Sequence, residues 1–255
     1  MAGNGTIIRV SGISKSFYAG DNHSVEALKD VSMVVAAGEF LSVVGPTGCG
    51  KTTLLRIISG LEVPDHGSIE IATQDNPRRP SVHFMFQQHA LFPWMTVERN
   101  VMFALSAAGW SRREILERCD ECLRFVGLAA SARSYPYELS GGMQRRAALA
   151  RTIASRPEVV LMDEPFSALD IATARELYDE ILNMHERLGM TIIFVTHNIE
   201  EAVFLASRVI IMATSPGRII AEVPVDLSKP RDRLSDGFVG KMLQVREYFE
   251  KGSIG

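Results

Sequence analysis

Residues 45–52 read GPTGCGKT, a run that demands a strand ending just before it and a helix opening inside it. The spacing is G-x-x-x-x-G-K-T, the phosphate-binding loop. Glycines at the bends let consecutive backbone amides turn inward around an anion. Lys51 then reaches the outer phosphates, and the Thr52 hydroxyl is suited to ligate Mg²⁺. The flanks agree. Residues 40–44, FLSVV, form a short apolar run of the kind found in buried strands. Residues 53–58, TLLRII, continue as a helix whose N-terminal dipole favours bound phosphate.

The chain has 255 residues, 46% of them hydrophobic, enough for one large or two small domains with a sizeable core. A net charge of −3 supplies no basic footprint for nucleic acid. No apolar run reaches the ~18 residues that would suggest a membrane-spanning helix. The first residues, MAGNGTIIRVSG, lack the basic and apolar regions of a secretory signal. Three cysteines, an odd number, fit a reducing cytosol. Cys119 and Cys122 form a C-x-x-C, but with Ile115 and Val126 they fall on one helical stripe, and no second pair completes a zinc site. Buried core thiols are the expectation. Cys49, inside the phosphate loop, is expected to be open to alkylation, which would block nucleotide without making the thiol catalytic.

Along the chain, strands are expected at 6–10 and 26–35, with a polar turn at 16–23 that carries Phe17 and Tyr18. A flat ring upstream of a nucleotide loop either packs or stacks on a base. A turn at 64–67 and a short strand at 68–72 follow, then a strand at 81–86 ending at Gln87. Residues 91–95, LFPWM, are poor strand material. They either fold under as a core plug or form an exposed docking patch, and the patch is the favoured reading. Helices are expected at 96–107, capped by Thr96, and at 111–126, capped by Ser111 with Glu114 three residues on. Residues 89–155 thus read as a helical subdomain inserted into an alternating α/β core.

Within it, residues 139–144, LSGGMQ, open a helix running to about 155. Ser140 caps it, and Gly141 and Gly142 leave room for close backbone approach: a second anion cradle. A double glycine costs backbone entropy, so it needs a reason. Residues 158–164, EVVLMDE, read as a buried strand ending in two carboxylates, Asp163 and Glu164. Adjacent buried acids call for a nearby cation. In phosphate-loop enzymes a strand-end Asp holds Mg²⁺, and a following carboxylate can polarise the attacking water. Asp170 lies in a short loop before a helix at 173–188. The strand at 190–196 ends at His197, expected to face the crevice at the carboxyl ends of the parallel strands. Strands at 208–213 and 219–223 and a helix near 239–249 complete the reading.

Phosphate loop, LSGGMQ, strand-end Asp-Glu and a later strand-end His, in this order from about residue 8 to 225, resemble the ATP-binding-cassette (ABC) ATPases. The resemblance implies an α/β fold: a RecA-like P-loop core with an antiparallel β subdomain and the inserted helical signature subdomain, over residues 1–230, with 231–255 a tail bearing a short helix. It implies ATP and Mg²⁺ as cofactors. Phe17, or else Tyr18, would stack on adenine, while Gly45, Pro46, Thr47, Gly48, Cys49, Gly50, Lys51, Thr52 and Thr53 would hold the phosphates. Gln87 would contact Mg²⁺ and the attacking water and relay state to a membrane partner. Asp163 would hold Mg²⁺ through water, Glu164 would be the general base, and His197 would contact the γ-phosphate. Asp170 would lie in the loop crossing to a second copy, and Ser140, Gly141 and Gly142 would close over ATP bound there. Met143 departs from the glutamine common at that signature position.

Residues 87–97, QQHALFPWMTV, look like those of bacterial import ATPases of the nitrate/sulfonate/taurine branch. The implied protein is a stand-alone ATPase subunit, peripheral on the cytoplasmic face of the inner membrane. It pairs with a second copy, docks permease subunits, and serves a solute-binding protein indirectly, with no nucleic-acid partner. The alternative is a soluble, non-transport ABC ATPase of the repair or translation class. Repair types carry long coiled-coil insertions, which 89–155 is too short to supply, and translation types usually have two cassettes per chain.

Overall fold

The computed structural model describes residues 5–19, 23–72, 82–86, 91–167 and 169–253. The chain forms two compact units, one from residues 1–72 with 191–255 and one from 73–190.

The first unit holds an antiparallel sheet and a mostly parallel one. β1 (Thr6–Ala19) lies between β2 (His23–Ala36) and β4 (His66–Ile71), antiparallel to both. The turn expected at 16–23 is a correction: β1 continues through Ala19, and Phe17 pairs with Val25 and Tyr18 with Ser24. Polar residues are tolerated there because one face of an antiparallel sheet can meet water. The second sheet places β3 (Phe40–Val44) between β7 (Thr191–Thr196) and β8 (Arg208–Ala213), parallel to both, and β9 (Arg218–Pro224) runs antiparallel along β8. Every residue of β3 and β7 is buried, as expected for strands covered on both faces. Helices α1 (Lys51–Ile58), α6 (Ile199–Leu205) and α7 (Asp236–Ser253) belong to this unit. α7 is longer than the sequence suggests. Phe238 and Val245 are buried, and the pairs Arg246–Glu250 and Glu247–Lys251 support its exposed side.

The second unit pairs β5 (Val82–Met85) in parallel with β6 (Val159–Asp163) and carries helices α2 (Val97–Ala107), α3 (Arg112–Phe125), α4 (Gly141–Ile153) and α5 (Ile171–Leu188). The expected caps are in place. Thr96 Oγ1 accepts from Arg99 N at 3.4 Å, and Ser111 and Glu114 form a reciprocal capping box. α5 ends at Gly189, whose φ of 61° is the left-handed stop.

In the LFPWM segment Leu91, Phe92 and Met95 are half-buried, and Pro93 and Trp94 are exposed. Asn100, buried on α2, accepts from Phe92 N at 2.8 Å and donates to the carbonyls of Phe92, Met95 and Thr96 at 3.0–3.2 Å. One amide side chain thus satisfies the backbone of a segment that has no ladder of its own. Phe92 stacks edge-on against Phe103 at 5.0 Å, while Trp94, 5.4 Å from Phe92, is 68% exposed. Asn100→Ala removes these bonds, one buried and the rest part-buried, and is expected to cost roughly 3 kcal/mol in denaturant unfolding. A loss below about 1 kcal/mol would show that water replaces the amide.

Candidate nucleotide site

In the first unit the phosphate loop leaves the end of β3 and enters α1. Gly48 and Gly50 have φ of 83° and 88°, a region that side chains rarely adopt. A Cβ at Gly50 would also lie 2.6 Å from the Ala27 carbonyl oxygen and 2.5 Å from Leu28 Cδ2. Lys51 is buried, and its ammonium donates to the carbonyls of Gly45 at 2.7 Å and Pro46 at 2.9 Å, so the cation is held over its own loop. Thr52 and Thr53, at the start of α1, are half-buried, and Thr47 is exposed.

The register of the parallel strands decides what stands beside this loop. Val44 of β3 pairs with Thr196 of β7. The next residue on one strand is Gly45 and on the other His197, so the histidine is level with the mouth of the phosphate loop at the carboxyl edge of the sheet. His197 is exposed. On β1, Lys15 pairs with Leu28, the residue packed under Gly50. Two residues on, Phe17 shares the face of Lys15, whose ammonium is 5.4 Å from the ring centroid, and is 41% exposed. Tyr18 points to the other face and is 86% exposed.

In the second unit β6 ends at buried Asp163, and Glu164 follows with φ of 45°, an uncommon conformation for a side-chain-bearing residue. The turn is held from α4. One Arg145 nitrogen donates to the Glu164 carbonyl at 3.0 Å, the Ser167 carbonyl at 3.1 Å and Ser167 Oγ at 2.9 Å. Burial lowers the Arg145 pKa, opposed by the charges of Glu164 and Asp163. Ser140 caps α4, its Oγ accepting from Met143 N at 3.3 Å. A Cβ at Gly141 would meet nothing within 4 Å, and one at Gly142 only ordinary contacts at 3.5 and 3.6 Å, with neither φ in the left-handed region. The chain's own packing does not demand glycine at either position. Asp170 caps α5, accepting from Thr173 N at 3.0 Å and Thr173 Oγ1 at 2.6 Å, and these bonds lower its pKa. Gln87 lies outside the described residues.

The family model described as ABC transporter matches residues 28–167, more than half of the chain. The chain belongs to the ABC transporter family. An uncharacterized ABC transporter ATP-binding protein of Methanocaldococcus jannaschii is 44% identical over 91% of this chain and 87% of its own. An aliphatic sulfonates import ATP-binding protein of Bacillus licheniformis is 42% identical over 95% of this chain and 93% of its own, and a nitrate import ATP-binding protein of a Synechocystis strain 43% identical over 82% and 79%. Among solved structures, an ATP-binding cassette in a dimeric post-hydrolysis state with ADP and Pi aligns with a TM-score of 0.77 at 31% identity, covering 87% of this chain and all of that one. The ABC ATPase thus has the expected α/β class, with both antiparallel and parallel sheets.

Other residues of this ABC ATPase serve the loop without any motif to mark them. Gly217, between β8 and β9, packs so closely that a Cβ would lie 2.4 Å from the Cys49 carbonyl oxygen and 2.5 Å from that of Ala27. Cys49 has no exposed surface, and burial raises its thiol pKa against the pull of Lys51. The expected alkylation is therefore corrected: a thiol that is neither reachable nor ionised is a poor nucleophile. Cys119 and Cys122 are buried as expected, pushed up to about 12 and about 11, first by desolvation. Among the described residues no group of three or more His, Cys, Asp or Glu gathers as a metal cluster. At pH 7.5, iodoacetamide is expected to leave all three thiols unmodified in native protein and to label them after unfolding, read by mass spectrometry. Rapid native labelling of Cys49 would contradict this packing.

Proposed function

We propose that this chain is the ATP-hydrolysing subunit of an importer, working as a pair beneath separate permease subunits. The observation that carries the reading is the glycine pair at the Ser140-capped start of α4, which the chain's own fold does not require. Its reason then lies outside the chain: a second copy's nucleotide, approached closely by the backbone there. In the proposed site the loop from Gly45 to Thr53 holds the phosphates, Phe17 stacks on adenine and His197 contacts the γ-phosphate. Glu164 takes the proton of the water that attacks phosphorus, and ADP leaves with its β-phosphate oxygen freed. Asp170 would cross to the second copy, and Gln87 would contact the attacking water.

Thr52, Gln87 and Asp163, the last through water, would supply hard oxygen donors of the type Mg²⁺ prefers, and so few protein donors suit an ion that keeps most of its water. The ion would neutralise charge on the β- and γ-phosphates. ATP then joins the pair, because it binds the closed arrangement better than the open one, and loss of the γ-phosphate releases it. In Glu164→Gln, binding survives and turnover does not. With ATP this variant is expected to elute at twice the 28.1 kDa of one chain. Monomer alone under those conditions would overturn the split site.

Among the described residues no helix is long and apolar enough to cross a membrane. Membrane location would come through the permease, on the cytoplasmic face. A groove of about 620 Å³ in the second unit, lined by Phe84, Phe86, Phe92, Phe103 and Arg151 among others, is proposed to receive a permease loop helix. Trp94, 5.4 Å from Phe92 and tilted 39° to its ring, is proposed to meet the same helix. The relatives' names favour an oxyanion or sulfonate cargo, delivered by a solute-binding protein. Trp94→Ala is expected to reduce permease co-purification while leaving nucleotide affinity within about twofold, since a central aromatic anchor carries much of an interface. Unchanged co-purification would refute the docking site.

A further inference from the structure

We infer that Glu201 is a positioning residue for His197, acting through the two residues that flank it. This rests on the proposed role of His197 at the γ-phosphate. Glu201 sits in the first turn of α6 and is 8% exposed, an unusual place for a carboxylate unless its oxygens are occupied. Both are. Oε2 accepts from Thr196 Oγ1 at 2.6 Å, and Oε1 accepts from Asn198 Nδ2 at 3.3 Å. Thr196 is the last residue of β7 and Asn198 the N-cap of α6, so one side chain spans the peptide segment that bears His197.

The bonds interlock through their donor and acceptor senses. Thr196 Oγ1 donates to Glu201 Oε2, so the hydroxyl spends its one hydrogen there. A lone pair is then left for Asn198 N, which donates to Thr196 Oγ1 at 3.0 Å. Likewise Asn198 must turn its NH₂ to Glu201, which leaves Oδ1 to accept from Glu200 N at 2.9 Å and Glu201 N at 3.4 Å. The closed cycle fixes the backbone on both sides of His197. A one-residue change of twist there would lift the imidazole from its level beside Gly45. The Thr196–Glu201 bond at the centre of the cycle is buried, where a satisfied hydrogen bond is strongest.

The segment after β9 steadies the same helix. One Arg231 nitrogen donates to the carbonyls of Val203, Phe204 and Ala206 at 2.7–2.8 Å, closing the C-terminal end of α6. Arg233 lies over the Phe204 ring at 3.7 Å and pairs with Glu200 at 3.1 Å. Residues beyond 230, expected from the sequence to be a tail, thus brace the helix that carries the clamp.

The test uses full-length protein. Steady-state ATPase, nucleotide affinity and thermal unfolding are measured for Glu201→Ala, Glu201→Gln, Thr196→Val and Thr196→Ser, with His197→Ala as reference. Misplacing a group that acts in the transition state costs on the order of 10- to 100-fold in kcat. Glu201→Ala and Thr196→Val are therefore expected to lose at least about tenfold in kcat, with KM for ATP within about twofold. Thr196→Ser, which keeps the hydroxyl, retains wild-type turnover, and Glu201→Gln, which keeps one acceptor oxygen, falls between. The Glu201→Ala, Thr196→Val double variant loses no more than either single change, because both open the same cycle. Full kcat in folded Glu201→Ala, or additive losses in the double variant, would overturn the inference. So would a loss that Thr196→Ser fails to rescue. Should His197→Ala itself turn over at the wild-type rate, the reading of His197 fails first and the clamp's catalytic role with it.

Discussion

The parallel pairing of β3 with β7 is the constraint on which the first unit's chemistry depends. A parallel ladder brings the carboxyl ends of its strands to one edge. Because Val44 is opposite Thr196, the loop that leaves β3 and the histidine that leaves β7 emerge side by side. A shift of one residue would put His197 out of step with Gly45. The loop is then seated from below by Leu28, Ala27 and Gly217, whose tight approaches leave no room for a Cβ at Gly50 or Gly217.

What was legible in the sequence was local. GPTGCGKT announces its loop because the glycines, the lysine and the flanking apolar runs lie within about twenty residues of one another. Thr96, Ser111 and Ser140 announce helix starts because a cap acts over three residues. What stayed hidden acts across the chain. Arg145 holds the Glu164 turn from 19 positions away, and nothing in RRAALAR marks which arginine is buried. Gly217 looks like any turn glycine until its carbonyl neighbours are seen. Asn100 reads as a polar residue on an amphipathic helix, yet it supplies the backbone partners that LFPWM lacks. The hairpin at Phe17 was obscured because polar, turn-forming residues there are overridden by cross-strand pairing.

Two kinds of glycine stand in this chain, and their difference matters for the function. Gly48 and Gly50 are required by the backbone they occupy, through φ near 85° and, at Gly50, close neighbours. Gly141 and Gly142 are required by neither. Glycine at a helix start costs backbone entropy in the folded chain, so the absence of an internal reason points outward, to a surface that another body must approach. A phosphate cradle that the chain fills itself and a second cradle left facing out are what a nucleotide shared between two copies would need.

The most direct measurement is ATP turnover per chain as a function of protein concentration, from well below to well above the dimerisation constant measured with ATP. A nucleotide shared between copies requires turnover per chain to climb with concentration and to level off as pairs become saturated. Full turnover per chain at dilutions where sedimentation finds only single chains would contradict the account.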